Sequence, residues 1–112
     1  SYALNTPMSP HAAADIDGIT IDLNQIKEPK TENHLVIEGA GGLLVPLNDT
    51  DTIFDLIQSD YKVIVVSRHY LGSINHTLLT IEKLQQRNVD IGIVFSGDEY
   101  PTTEEIILKK QG

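Results

Sequence analysis

The sequence has 112 residues, of which 40% are apolar, and its 16 acidic and 8 basic residues give a net charge of −8. This length suits one domain rather than two, and the negative charge argues against a protein that binds nucleic acid or anionic membranes. The lack of cysteine excludes disulfides, thiolate metal sites and a cysteine nucleophile. No apolar run approaches the ~20 residues that span a bilayer, and no signal-peptide pattern is present, so we expect a cytoplasmic protein.

The first 33 residues show no long apolar period. Ser9 followed by Pro10 predicts a short helix, with Ser9 as its cap and Pro10 at the first helical position. Residues 19–23 alternate apolar and polar side chains, which favours a short edge strand or an extended loop.

From residue 34 onward, apolar runs alternate with helical patterns. The runs that predict strands buried on both faces are residues 34–37, 63–66 and 91–95. The segments that predict helices are residues 51–59, 73–88 and 102–110. This alternation predicts an open parallel α/β sheet with right-handed crossovers. A sheet of three strands usually has neighbours, which indicates that the chain is part of a larger domain.

Two of the predicted helices carry further expectations. Thr50 or Asp51 is the expected cap of the helix over residues 51–59. The helix over residues 73–88 has apolar residues at helical spacing, which predicts one buried face. The residues expected on that face are Ile74, Leu78, Leu79, Ile81 and Leu84.

Glu38 ends the first apolar run and precedes Gly39-Ala40-Gly41-Gly42. Ligands of open parallel sheets bind at the carboxyl ends of strands, where a carboxylate can hold a hard cation such as magnesium. The glycines would let backbone N–H groups approach an anion closely. A tight turn with a solvated glutamate explains the same pattern equally well.

Gly72 and Ser73 precede the helix over residues 73–88, and the N–H groups of a helix start favour a carboxylate or phosphate. Ordinary capping by Ser73 is the alternative, and taken alone it is the favoured one. Asn75 and His76 lie in the first turn and could face the same cavity.

Four segments together resemble the dethiobiotin synthetases. They are P-M-S-P-H-A-A-A (7–14), V-I-E-G-A-G-G-L-L-V-P-L (36–47), L-G-S-I-N-H-T-L-L-T (71–80) and G-I-V-F-S-G (92–97). The resemblance implies a P-loop NTPase-like three-layer α/β sandwich with a mainly parallel sheet, of which residues 1–112 would be the carboxyl-terminal part of a single domain. It also implies a homodimeric ligase of biotin biosynthesis that uses ATP and Mg²⁺ to close a ureido ring on 7,8-diaminononanoate with carbon dioxide.

The resemblance also assigns roles to residues of this sequence. Glu38 resembles the family's magnesium ligand. The residues that would bind the substrate are Ser9, Gly41, Gly42, Gly72, Ser73, Ile74 and Asn75. The residues that would bind the nucleotide and its metal are Glu38, Gly39, Ser96 and Gly97. No catalytic side chain is assigned, because the family's lysines match no position in this chain.

Two departures from the family pattern stand out. The phosphate-binding motif G-x-x-x-x-G-K-[ST] does not occur in the 112 residues, so we expect this chain alone to be inactive. Ser96 stands where the family has an adenine-recognising asparagine, and a hydroxyl cannot present the paired donor and acceptor of an amide. The alternatives are a related ATP-dependent amide-forming enzyme of cobalamin synthesis and a non-catalytic binding module on the same fold.

Overall fold

The computed structural model describes residues 2–111, and the chain divides after Ile57 into two compact units. In chain order the elements are α1 (Pro10–Asp17), two 3₁₀ helices (Leu23–Gln25 and Ile53–Leu56), β1 (Lys62–Arg68), α2 (Ser73–Gln85), β2 (Asp90–Ser96) and α3 (Pro101–Gln111). Over the described residues, none of these helices combines the length and apolar character that a membrane crossing requires.

In the first unit, α1 begins at Pro10, as the sequence predicts, and ends at Gly18, which adopts a left-handed conformation. Ser9 occupies the N-cap position, but its side chain makes no capping hydrogen bond. Its hydroxyl lies 3.2 Å from Nδ1 of His11 instead. The predicted position of the cap is therefore confirmed, whereas side-chain capping by Ser9 is wrong.

The core of the first unit brings α1 together with the loops that follow it. Ala14 of α1 packs with Ile21 and Leu47, and all three are buried. Residues 19–23 form no strand, so the extended loop is the correct one of the two interpretations. The side chains packed partly buried against this cluster are Tyr2, Leu4, Leu23, Ile26, Ile53 and Leu56.

The predicted strand over residues 34–37 is not formed, and Val36 within it is 91% exposed. A strand is stable only when a neighbour pairs its backbone N–H and C=O groups. Among residues 2–111, paired strands occur only as β1 with β2. The apolar composition therefore shows that this segment could form a strand if a neighbour paired with it, but it does not show that the strand forms.

The predicted helix over residues 51–59 is reduced to the 3₁₀ helix Ile53–Leu56. Its N-cap is Thr52 rather than Thr50 or Asp51, and Oδ2 of Asp55 accepts a hydrogen bond from the Thr52 amide at 2.7 Å. The Ile53 amide donates to the carbonyl of Val45 at 3.0 Å. This bond ties the segment to the preceding loop.

The second unit is a β1–α2–β2–α3 arrangement in which β1 and β2 run parallel. The register begins with Lys62 opposite Asp90 and ends with Arg68 opposite Ser96. Both strands and their parallel pairing agree with the sequence prediction. The prediction that both faces of these strands are buried is wrong. Ile64, Val66 and Val94 are at least half exposed, whereas Val65 and Ser67 face inward.

The core of the second unit lies where α2 and α3 pack together, and its largest fully buried side chains are Ile81, Leu84 and Ile107. Leu79 and Ile74, which the spacing placed on the buried face of α2, are exposed. The buried residues of α2 are Ser73, Thr77, Ile81 and Leu84. The helix therefore turns a face with two small polar residues inward, because that face is the one that meets β1 and α3.

Candidate functional site

An open groove of about 580 Å³ lies at the amino-terminal end of α2. It is lined by Tyr70, Leu71, Gly72, Ser73, Ile74, Asn75, Leu78 and Thr103. The four consecutive residues 72–75 that the sequence singles out as an anion site all belong to this lining. His76 does not, and Tyr70 hydroxyl and His76 Nδ1 form a hydrogen bond instead.

The start of α2 is set by Gly72 and not by a serine cap. Gly72 is the N-cap with φ of 97°, a left-handed conformation that strains any residue with a Cβ. Ser73 is buried and makes no side-chain capping bond, so the capping interpretation of Ser73 is wrong.

Two amides at this helix start are available to a ligand. The Ser73 amide donates to the Tyr70 carbonyl at 3.0 Å, and the His76 amide donates to Gly72 at 3.1 Å. Within residues 2–111, the amides of Ile74 and Asn75 have no backbone acceptor. These amides and the positive end of the helix dipole favour an anion in the groove.

The groove also has apolar walls. Leu71 is fully exposed, and Ile74 and Leu78 line the groove beside it. A ligand that fits this surface has an anionic end for the helix start and an aliphatic part for the leucines.

A second cluster, which sequence analysis missed, lies next to the groove. Nε2 of His69 is 3.1 Å from Oε1 of Glu104 in α3, and the His69 side chain is 8% exposed. The imidazole stacks on Phe95 with ring centres 5.7 Å apart, and its centre lies 4.9 Å from the centre of the Tyr100 ring. The chain pattern carries no signal for this pair, because residues 69 and 104 are distant in sequence and neither stands in a motif.

In the first unit, Glu38 is exposed in a segment without regular secondary structure. The glycines after it have structural reasons of their own. A Cβ on Gly39 would lie 3.1 Å from Cγ2 of Ile53, and one on Gly41, whose φ is 88°, would lie 3.0 Å from Cγ2 of Val45. The turn is therefore glycine-rich whether or not a ligand binds there.

The Glu38 turn does not form a metal site by itself. In the part of the chain that the structure describes, no three histidine or acidic side chains are grouped closely enough to hold a metal ion. Magnesium needs only one or two protein carboxylates when substrate phosphates and water supply its other ligands. The exposed carboxylate of Glu38 could therefore be one ligand of a magnesium ion whose other ligands are phosphates and water, but within residues 2–111 it cannot form a site made of protein ligands alone.

The remaining predicted residues lie at two other places. Ser96 ends β2 opposite Arg68, and Gly97 follows it with φ of 96°. Gly42 lies in the exposed turn after Glu38 with φ of 115°. The expected strand that would have brought Glu38 to the same sheet edge as Gly72 is not formed.

The β1–α2–β2 unit with parallel strands agrees with the α/β fold of P-loop NTPases, the class to which the family that matches this chain belongs. The chain belongs to the AAA domain family, whose model matches residues 1–112. The fold class predicted from sequence is therefore confirmed.

The chain is also similar to proteins named ATP-dependent dethiobiotin synthetase BioD. It is 68% identical over 108 residues to that of Christiangramia forsetii, a match that covers 96% of this chain and 52% of the relative. It is 56% identical over 115 residues to that of Cytophaga hutchinsonii, covering all of this chain and 56% of the relative. For the Afipia carboxidovorans protein the identity is 49%, over 99% of this chain and 54% of the relative. The chain thus spans about half the length of these relatives.

Proposed function

We propose that this chain is part of a dethiobiotin synthetase, a ligase of biotin biosynthesis that closes a ureido ring on 7,8-diaminononanoate with carbon dioxide and ATP. The observation that carries the proposal is the groove at the start of α2, where an anion site and an apolar wall adjoin. The 68% identity to a protein of that name supports it.

The substrate's carboxylate and its aliphatic chain match the two parts of the groove. Its carboxylate tail would accept hydrogen bonds from the amides of Ile74 and Asn75, and the helix dipole would add to this attraction. Its aliphatic chain would lie against Leu71 and Leu78. Gly72 and Ser73 set the path of the backbone, so their role is to place these amides.

The turn after Glu38 would serve the phosphate side of the reaction. Glu38 would hold a magnesium ion together with the phosphates of ATP, and that ion would neutralise charge during phosphoryl transfer. The amides of Gly41 and Gly42 would contact the reacting carbamate and phosphate. Gly39 lies close to Ile53, and a Cβ there would be 3.1 Å from Cγ2 of Ile53, so a side chain at this position would require Ile53 to shift slightly.

The reaction needs two anions held together. One substrate amine becomes a carbamate, a carbamate oxygen accepts the γ-phosphoryl group, and the second amine displaces phosphate to close the ring. Carbamate and triphosphate repel each other, so amide donors and cations must spread the charge. This chain would contribute amide donors and one carboxylate to that task.

Ser96 and Gly97, at the end of β2, would contact the nucleotide base, and Ser9 would line the substrate region near a dimer interface. Because a serine hydroxyl discriminates bases less than an amide does, we expect weak selectivity between ATP and other nucleoside triphosphates. We further propose that residues 1–112 form the carboxyl-terminal part of one domain in a cytoplasmic homodimer, and that they are inactive alone.

The test uses a complete enzyme that carries this sequence, supplied with diaminononanoate, bicarbonate and ATP. Formation of dethiobiotin is the expected result, and its absence would contradict the proposal. Leu71→Asp places a negative charge in the groove, so the KM for diaminononanoate should rise about tenfold with little change in the KM for ATP. Leu79→Asp adds the same charge at an exposed site on α2 outside the groove and should leave both values unchanged.

A further inference from the structure

The groove is built from two pieces of chain that meet only in space. One is the stretch from Tyr70 to Asn75 together with Leu78 of α2, and the other is Thr103 in α3. His69 directly precedes the first piece, and Glu104 directly follows Thr103 of the second. Nε2 of His69 and Oε1 of Glu104 are 3.1 Å apart, so the two pieces are joined beside the groove. We propose that His69 is a positioning residue that, through Glu104, fixes the two sides of the groove relative to each other.

The hydrogen bond determines how the imidazole is held. A carboxylate only accepts hydrogen bonds, so Nε2 of His69 must carry a hydrogen and donate it in the bond to Oε1 of Glu104. Nδ1 is buried and has no hydrogen-bond partner among residues 2–111. The orientation of the ring is therefore set by one hydrogen bond and by the rings of Phe95 and Tyr100.

The turn that follows His69 depends on this attachment. Residues 70–72 are exposed, and Leu71 has no packing against the protein. The turn is held by a buried side chain at each end, His69 before it and Ser73 after it, and by the hydrogen bond between Tyr70 and His76. Release of the His69 end would let the turn move, and the amides at the start of α2 would lose their fixed direction.

Packing alone does not require a histidine at this position. A phenylalanine would fill the same space between the aromatic rings and would leave no unpaired buried nitrogen. What the imidazole adds is the bond to Glu104, so variants that keep the packing and remove the bond separate the two roles.

The first experiment measures amide hydrogen exchange by NMR in the 112-residue chain. Glu104→Ala should speed exchange of the Ser73 amide about tenfold, because the turn that protects it opens more often. Glu105→Ala changes the adjacent, exposed residue of α3 and should have no effect. Equal exchange in the two variants would overturn the proposal. His69→Phe, which keeps the aromatic packing, should match Glu104→Ala and decides the question if that variant folds poorly.

The second experiment rests on the proposed function and measures kinetics in the complete enzyme. His69→Phe and Glu104→Ala should each raise the KM for diaminononanoate about tenfold with kcat and the KM for ATP nearly unchanged. The double variant should be no worse than either single one, and Glu104→Gln, which keeps an acceptor, should recover most of the loss. An unchanged KM, or a fall in kcat alone, would contradict a positioning role.

A negative result with Leu71→Asp and a negative result in the exchange comparison would disprove different proposals. If Leu71→Asp also leaves the KM unchanged, the groove is not the substrate site and the proposed function of this site is wrong. The exchange comparison still decides whether His69 positions the turn.

Discussion

The hydroxyl groups of Ser67 and Thr77 lie 2.8 Å apart, and both side chains are buried. This bond joins β1 to α2. Thr77→Val leaves the Ser67 hydroxyl buried without that partner, so unfolding should become easier by about 1–3 kcal/mol in urea titrations. Adding Ser67→Ala should recover part of the loss, and Thr80→Val, whose hydroxyl bonds only within α2, should cost under about 0.5 kcal/mol.

Two adjacent isoleucines of α3 provide a test of how that helix packs. Ile107 is fully buried, whereas Ile106 is 37% exposed. Ile107→Ala should therefore lower the free energy of unfolding by about 2–5 kcal/mol, and Ile106→Ala by much less. Equal losses in urea unfolding would mean that α3 is rotated from the described position.

Two glycines of the second unit should respond oppositely to alanine. Gly72 has φ of 97°, so Gly72→Ala should cost about 1–2 kcal/mol through backbone strain, although no atom would collide with the new Cβ. Gly92 in β2 also has space around it but no positive φ. Gly92→Ala should therefore be neutral or stabilise the fold by up to about 1 kcal/mol. Thermal unfolding of both variants checks this.

Asn48 holds the loops of the first unit together. Its Nδ2 donates to the Ile21 carbonyl at 2.7 Å and to Oδ2 of Asp51 at 2.9 Å, while its Oδ1 accepts from the Asp51 amide at 2.7 Å. Asn48→Asp replaces the donor with an oxygen that faces two acceptors, so the cost should be about 2–3 kcal/mol in urea unfolding. Asn33→Asp adds the same charge at an exposed position and should have almost no effect.

Glu38 should matter for catalysis and not for folding. Because Glu38 is exposed and lies outside any helix or strand, Glu38→Gln should change the free energy of unfolding by less than about 0.5 kcal/mol. In the complete enzyme the same change should lower kcat about a hundredfold or more, if Glu38 is the magnesium ligand that we propose. Glu32→Gln is the matched control. A loss of stability without a catalytic effect would favour the structural interpretation of Glu38.

The sequence predicts β1, β2, α2 and α3 well because apolar periodicity and terminal residues are local signals. It fails for residues 34–37, because a strand depends on a neighbour that a local pattern does not contain. The start of α2 at Gly72 and Ser73 was placed correctly, since a glycine before a helix has local meaning. That an anion binds there stays a prediction. The contact of His69 with Glu104 could not be found in this way, because only the packing of α3 brings them together.

The parallel register of β1 and β2 has a consequence for the order of folding. Lys62 pairs with Asp90, so the whole of α2 lies between paired residues, and no tight turn can bring the strands together first. The entropy cost of closing so long a loop falls once the helix has shortened it. Helix formation should therefore precede strand pairing. A substitution of the buried Leu84 in α2 that leaves a cavity should then slow refolding more than it speeds unfolding.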